Sequence, residues 1–386
     1  MNISKTQANY DIIILNLIMI CFFLIPVVGE ILPFLFLFFI YSIKKYKLNA
    51  VMVLYIIILI FFSLYVSVVD IIKGAGIEVF GKLLYPILFF LVGVIFYDKY
   101  GREASANLKL NCSLSLLFFC ILSMIHTLWN YGSYSDFTVN NGRVIYEFIT
   151  NVKYSNTAIN GFLSGSMVLF PLFMVKNNGL SKSKNFIVLL MGIISIYIGI
   201  TLGNRSTFIM VFGVFILLIF ICKFDWMKFI PLVALVAIYY LIFFNETILG
   251  KRMESDDGLD NSRLRNWIEG FEIIKQNFLI GSDLRTSDVF AHNFILDIAI
   301  PYGFFPALLL FLMLLLGLGL FTKFIFLRKK NFFSVYFVAL FFGIFVIFLI
   351  EPVYQGLFKL YCFYSLIIGM GFSYFSKLDK RKNCDI

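Results

Sequence analysis

Between Asn261 and Phe304 an otherwise apolar chain gathers the groups that could do chemistry. They are Ser262-Arg263-Leu264-Arg265-Asn266-Trp267, then Gly281, then Ala291-His292-Asn293, then Tyr302-Gly303. Guanidinium groups offer planar, bidentate donors matched to phosphate oxygens. An imidazole titrates near neutrality and can take the proton of an attacking hydroxyl. A further arginine, Arg205, lies in Thr201-Leu202-Gly203-Asn204-Arg205-Ser206-Thr207 between two apolar runs, and Arg143 sits in an earlier polar stretch with Asp136, Glu147 and Lys153. Fixed cations with one imidazole suit an anionic, phosphate-bearing substrate.

Each of these residues also has an ordinary structural explanation. Arg205 could snorkel to the membrane interface. Arg263 and Arg265 share their loop with Glu254, Asp256, Asp257, Asp260, Glu269 and Glu272, and surface ion pairs with those acids would be worth about 0–1 kcal/mol. His292 could be a hydrogen-bonded residue at a helix start, and His126, at the end of its span with no polar partner in sequence, is assigned that structural role. The sequence offers no carboxylate cluster resembling a metal site. Its six cysteines (Cys21, Cys112, Cys120, Cys222, Cys362, Cys384) have no zinc-like spacing, and disulfides are not expected. Fragments such as Gly74-Ala75-Gly76 lack the strand, helix and lysine of a phosphate loop.

The elements that must position these groups are membrane spans. The chain has 386 residues, of which 61% are hydrophobic and 19% aromatic, far above the globular range of about 45–50% apolar. Long unbroken apolar runs exclude a β-barrel, whose strands alternate, so the expected fold is an all-α, polytopic membrane protein. Spans are expected near residues 11–28, 31–43, 49–69, 83–97, 108–128, 157–175, 186–203, 206–222, 229–244, 303–322, 332–350 and 357–375, which is about eleven or twelve crossings.

Lysines and arginines collect in one set of loops: Lys44, Lys45 and Lys47; Lys99, Arg102 and Lys109; Lys176, Lys182 and Lys184; Lys223 and Lys228; Lys323, Arg328, Lys329 and Lys330. By the positive-inside rule these face the cytoplasm with both termini, and the first apolar run reads as a retained span rather than a signal peptide. The net charge of +10 therefore reports topology and points to no nucleic-acid partner. One membrane domain over 1–386 is expected, with outward loops at about 129–156 and 245–290. In the second loop Arg263, Trp267, Phe271 and Ile274 fall at helical spacing, which suggests a short amphipathic helix lying against the membrane surface. Arg205, His292, Asp297, Glu351 and Lys359 map to outward ends of spans, whereas ion-coupled transporters usually place ionisable groups at membrane depth.

Taken together, Gly203-Asn204-Arg205-Ser206, Ser262-Arg263-Leu264 with Trp267, Gly281, and Ala291-His292-Asn293 followed by Tyr302-Gly303 resemble the O-antigen polymerase and ligase family of membrane glycosyltransferases. The likeness covers roughly the second half of the chain. It departs at Ser262, where the family often has glycine, and at Phe278-Leu279-Ile280-Gly281, where the family has a Pro-Leu-x-Gly turn. The resemblance implies a metal-independent, cofactor-free C-type glycosyltransferase of the bacterial inner membrane, with its active site facing the periplasm. It implies undecaprenyl-diphosphate-linked oligosaccharides as donor and acceptor, the bilayer as surroundings, and a chain-length regulator as a further partner.

In that frame Arg205 and Arg263 are diphosphate-binding and His292 is the base, with Arg265, Asn293, Trp267 and Arg143 contacting substrate. The expected activity is repeat-unit polymerisation of a surface polysaccharide. The alternatives are the ligase that moves polymer to lipid A core, which shares the donor site, and a lipid-linked oligosaccharide flippase.

Overall fold

A computed structural model describes residues 5–25, 48–74, 79–131, 144–176, 180–202, 204–225, 262–282, 293–327, 331–350 and 358–384. Among them the protein is all-α apart from one short hairpin, and six helices are long and apolar enough to cross a membrane. A helix is the natural state of these runs, because in hydrocarbon every backbone N–H and C=O must be satisfied within the segment. The expected spans near 31–43 and 229–244 lie outside the described residues; the others, as far as they are described, fall on helices, with 83–97 and 108–128 sharing one and 157–175 divided between two.

The helices fall into two compact units. The first holds α1 (Lys5–Leu24), α2 (Ala50–Ile72), the first part of α3 (Val79–Tyr131), most of α8 (Ser262–Gln276), α9 (Phe294–Tyr302), α10 (Phe304–Ile325) and α12 (Phe358–Cys384). The second holds the rest of α3, the hairpin β1 (Val144–Tyr146) and β2 (Lys153–Ser155), α4 (Asn156–Met167), α5 (Leu169–Phe173), α6 (Lys182–Thr201), α7 (Arg205–Ile221) and α11 (Phe332–Ile350).

The sequence predicts two spans and a loop where α3 runs. The structure has continuous helix broken only at Gly101 (φ 79, ψ −164), a conformation open to glycine and closed to side chains. A straight helix of 53 residues would reach about 80 Å, far beyond a hydrocarbon core of about 30 Å; the corner at Gly101 divides it into two helical segments. Ser105 donates to the Gly101 carbonyl at 2.7 Å, occupying an acceptor the corner releases. Lys109, expected in a cytoplasmic loop, is instead fully buried inside α3, because the helix resumes directly after Gly101 and takes in the polar stretch before the next apolar run. Lys359 is also buried and donates to the Phe23 and Ile25 carbonyls at the end of α1, where a cation meets the negative end of the helix dipole.

In the second unit, β1 and β2 pair antiparallel, with Ile145 opposite Tyr154. Thr127, near the end of α3, accepts from the Tyr146 N–H at 2.9 Å. The buried Glu147 carboxylate accepts from the Ile149 and Thr150 N–H groups at 2.8 and 2.7 Å and closes the turn. Tyr154 packs edge-on between Phe119 and Phe162, and burial, followed by the nearby Glu147 and Cys120, raises its pKa above the ordinary phenol value.

Candidate functional site

Arg205 opens α7 at the tip of a tight hairpin from α6, and a buried amide sets this position. Asn160 of α4 donates through Nδ2 to Ser206 Oγ at 2.7 Å and accepts at Oδ1 from Thr207 Oγ1 at 2.7 Å. All three side chains are buried, so each polar group is satisfied where water is absent. Gly199 makes the approach possible: a Cβ there would lie 2.5 Å from Thr207 Oγ1 and 2.6 Å from Met167 Cε. The Asn204 N–H bonds the Gly199 carbonyl at 3.1 Å, and no acidic residue occupies the first turn of α7. Arg205 is described by its backbone.

Arg263 lies in the first turn of α8, again described by its backbone and again with no acidic residue in that turn. Past it the helix has three faces. Gly270 and Ile274 are buried, and a Cβ at Gly270 would sit 3.1 Å from Ile300 Cδ1. Trp267, Ile268 and Phe271 form an exposed apolar face. Arg265, Glu269 and Glu272 are exposed on a charged face. Arg265 and Glu269 have the spacing of an ion pair, yet Arg265 makes none among the described residues. Ile274, expected on the membrane-facing stripe, is instead on the buried face.

The chain then turns at Asn277–Ser282, and this turn explains two glycines of the motif. Gly281 (φ 74) passes so close to α9 that a Cβ would lie 2.3 Å from the Pro301 carbonyl carbon. At Gly303 (φ 89), between α9 and α10, a Cβ would lie 2.2 Å from the Leu279 oxygen. Both positions need a left-handed backbone and the absence of a side chain. The Ser282 N–H bonds the Ile300 carbonyl at 2.9 Å, and the Phe304 N–H bonds the Phe278 carbonyl at 2.8 Å.

The end of α2 clamps this junction. Lys73 Nζ donates to the Ser282 and Pro301 carbonyls, both at 2.6 Å. The Tyr65 hydroxyl donates to the Leu279 carbonyl at 2.6 Å, and the Tyr302 hydroxyl to Asp70 Oδ1 at 2.9 Å. Beside the clamp is an open cleft of about 600 Å³ lined by Ile72, Lys73, Gly74, Asn277, Ile280 and Gly281. Sequence reasoning passed over Tyr65, Asp70 and Lys73, since charges closing an apolar run are ordinary. The available signal was an acid and a base three residues apart at the end of a span.

Asn293 caps α9. Its Oδ1 accepts from the Ile295 and Leu296 N–H groups at 3.1 and 3.3 Å, and its own N–H donates to the buried Asp297 carboxylate at 3.0 Å. This reciprocal pairing fixes the helix start and commits the amide oxygen to structure. His292 and Arg143 lie outside the described residues. His126 does have polar partners: its Nε2 is 2.7 Å from Asn151 Oδ1 and 3.0 Å from Asn130 Nδ2, which suits its structural assignment.

The fold thus places Arg263, Arg265 and Trp267 on one helix and joins the end of that helix to the end of α9, which Asn293 begins; Arg205 lies in the second unit, whose boundary falls just after Arg263. No family model matches the chain, and no curated protein matches it.

Proposed function

We propose that this protein is a metal-independent glycosyltransferase that polymerises lipid-linked repeat units of a bacterial surface polysaccharide on the outer face of the inner membrane. The observation that carries this reading is where the basic residues fall. Arg205 opens α7, Arg263 sits in the first turn of α8, and neither turn contains an acid. Helix N-termini already carry partial positive charge, so cations are unfavourable there and anions favourable. A guanidinium at such a terminus makes sense if a phosphate-bearing group neutralises both.

In the proposed reaction the acceptor hydroxyl oxygen attacks the anomeric carbon of the donor sugar. The bond from that carbon to the polyprenyl diphosphate breaks, and the electron pair leaves with the diphosphate, which Arg205 and Arg263 stabilise. The hydroxyl proton passes to the His292 imidazole. Arg265, on the exposed charged face of α8, and Arg143 are proposed to contact the glycans, and a chain-length regulator is a proposed partner.

Deletion of the gene followed by gel analysis of surface polysaccharide tests the function. Core bearing a single repeat is expected; bare core with polymer held on the carrier lipid would instead make it a ligase, and unflipped units a transporter. Purified protein given a defined lipid-linked repeat in chelator tests the chemistry. His292→Ala should lower turnover about 10²–10⁴-fold, Arg205→Lys and Arg263→Lys should each lose most of it, and His126→Ala should leave it near normal. Wild-type turnover by both lysine variants would overturn the diphosphate role, and activity restored only by a divalent ion would overturn the metal-free step.

A further inference from the structure

We infer that the apolar face of α8 and the turn Phe278-Leu279-Ile280 are inserted in the lipid interface, docked at the end of α2. The turn is the most exposed apolar stretch near the clamp: Phe278 is 50%, Leu279 69% and Ile280 56% exposed, and Phe271 on α8 is 59% exposed. Three consecutive large apolar side chains left open to water would be a standing liability. The hydrogen bonds give the turn a depth. Ser282 is held by Lys73 at the polar end of α2, whereas Leu279 is held by Tyr65, eight residues earlier in the chain. Eight helical residues are about two turns, so the chain from Ser282 back to Leu279 lies along the last turns of α2, beside the apolar residues there.

The exposed surface continues without interruption onto helices that cross the membrane. Phe278 stacks on Phe304, the first residue of α10, at 4.9 Å, and Tyr65 meets Phe305 at 5.5 Å. Val68, Ile71 and Ile72 on α2 and Leu308 on α10 are exposed as well. Both helices are long and apolar enough to span a bilayer, so the medium that covers their sides also covers the turn. The charged face of α8, with Arg265, Glu269 and Glu272, faces away from this surface, the arrangement of an interfacial helix. The inference is independent of the proposed reaction, since it concerns where the segment lies.

The test uses full-length protein in phosphatidylcholine–phosphatidylglycerol nanodiscs, with Trp129→Phe and Trp226→Phe leaving Trp267 as the reporter. Replacing the lipid with its acyl-brominated form should remove at least half of the Trp267 emission, and aqueous iodide should remove little. In the same background with Trp267→Phe, Leu279→Trp should be quenched by brominated lipid more strongly than Trp267, and Glu272→Trp should be quenched by iodide instead. Strong iodide quenching at Leu279→Trp, quenching by neither agent as under a second protein chain, or equal lipid quenching at Glu272→Trp would each overturn the docking. Each variant is scored only as a monodisperse protein, and Ile280→Trp replaces Leu279→Trp should that one not fold.

Discussion

Two junctions position the helices that carry the candidate arginines, and they are built on opposite principles. The α6–α7 hairpin is fastened from inside, by one buried amide that satisfies two hydroxyls. The α8–α9–α10 junction is fastened by backbone: two left-handed glycines let chains touch, and side chains of α2 grip bare carbonyls. A buried polar clasp fails if any member is lost, because the remaining groups have no water to turn to. A backbone clasp tolerates loss of a grip, since its carbonyls lie near the polar end of a span, but it tolerates no added Cβ.

The contrast breaks most directly at Gly281. Gly281→Ala adds left-handed strain and a collision with Pro301, together about 3–5 kcal/mol; little monodisperse protein is expected by size-exclusion chromatography. Gly319→Ala, inside α10 with nothing within 4 Å, should be neutral or stabilising by up to about 1 kcal/mol. Equal yields of the two would remove the backbone-contact account.

Asn160→Leu should cost about 2–4 kcal/mol, since Ser206 and Thr207 both lose a buried partner. It should lower the thermal midpoint clearly, and an unchanged midpoint would show that the hairpin does not depend on the amide. Lys73→Met should cost less, about 1–2 kcal/mol, because the Ser282 and Pro301 carbonyls can be hydrated; a loss as large as that of Asn160→Leu would erase the distinction between the clasps. Tyr65→Phe is expected to be the smallest change, at or below about 1 kcal/mol by thermal unfolding.

Much of the fold was legible because hydropathy is local: a run such as Ala50–Ile72 states its own conformation and length. The corner at Gly101 was misread as a loop because Arg102-Glu103-Ala104-Ser105 reads as polar while remaining helical, and Lys109 was misplaced with it. In the candidate site, the helical spacing of Arg263 and Trp267 could be read directly. The clamp could not, since Tyr65 and Leu279 are 214 residues apart in sequence and Asp70 and Tyr302 are 232 apart, and a single sequence carries no record of such pairs. Nor could the choice of face at Ile274, which depends on a neighbouring helix.

The first unit draws on Met1–Cys112, Leu264–Phe326 and Phe358–Ile386, and a close helix contact joins two of these stretches. A Cβ at Gly93 of α3 would lie 2.2 Å from the Leu366 oxygen of α12, and one at Gly369 of α12 2.1 Å from the Phe90 oxygen of α3. Between helices in lipid such close approach supplies much of the attraction. Translation delivers α12 after every other helix described here, so α3 must wait in the bilayer with its glycine groove unfilled through most of synthesis. Premature termination before Phe358 would therefore leave the Gly93 face of α3 without its partner.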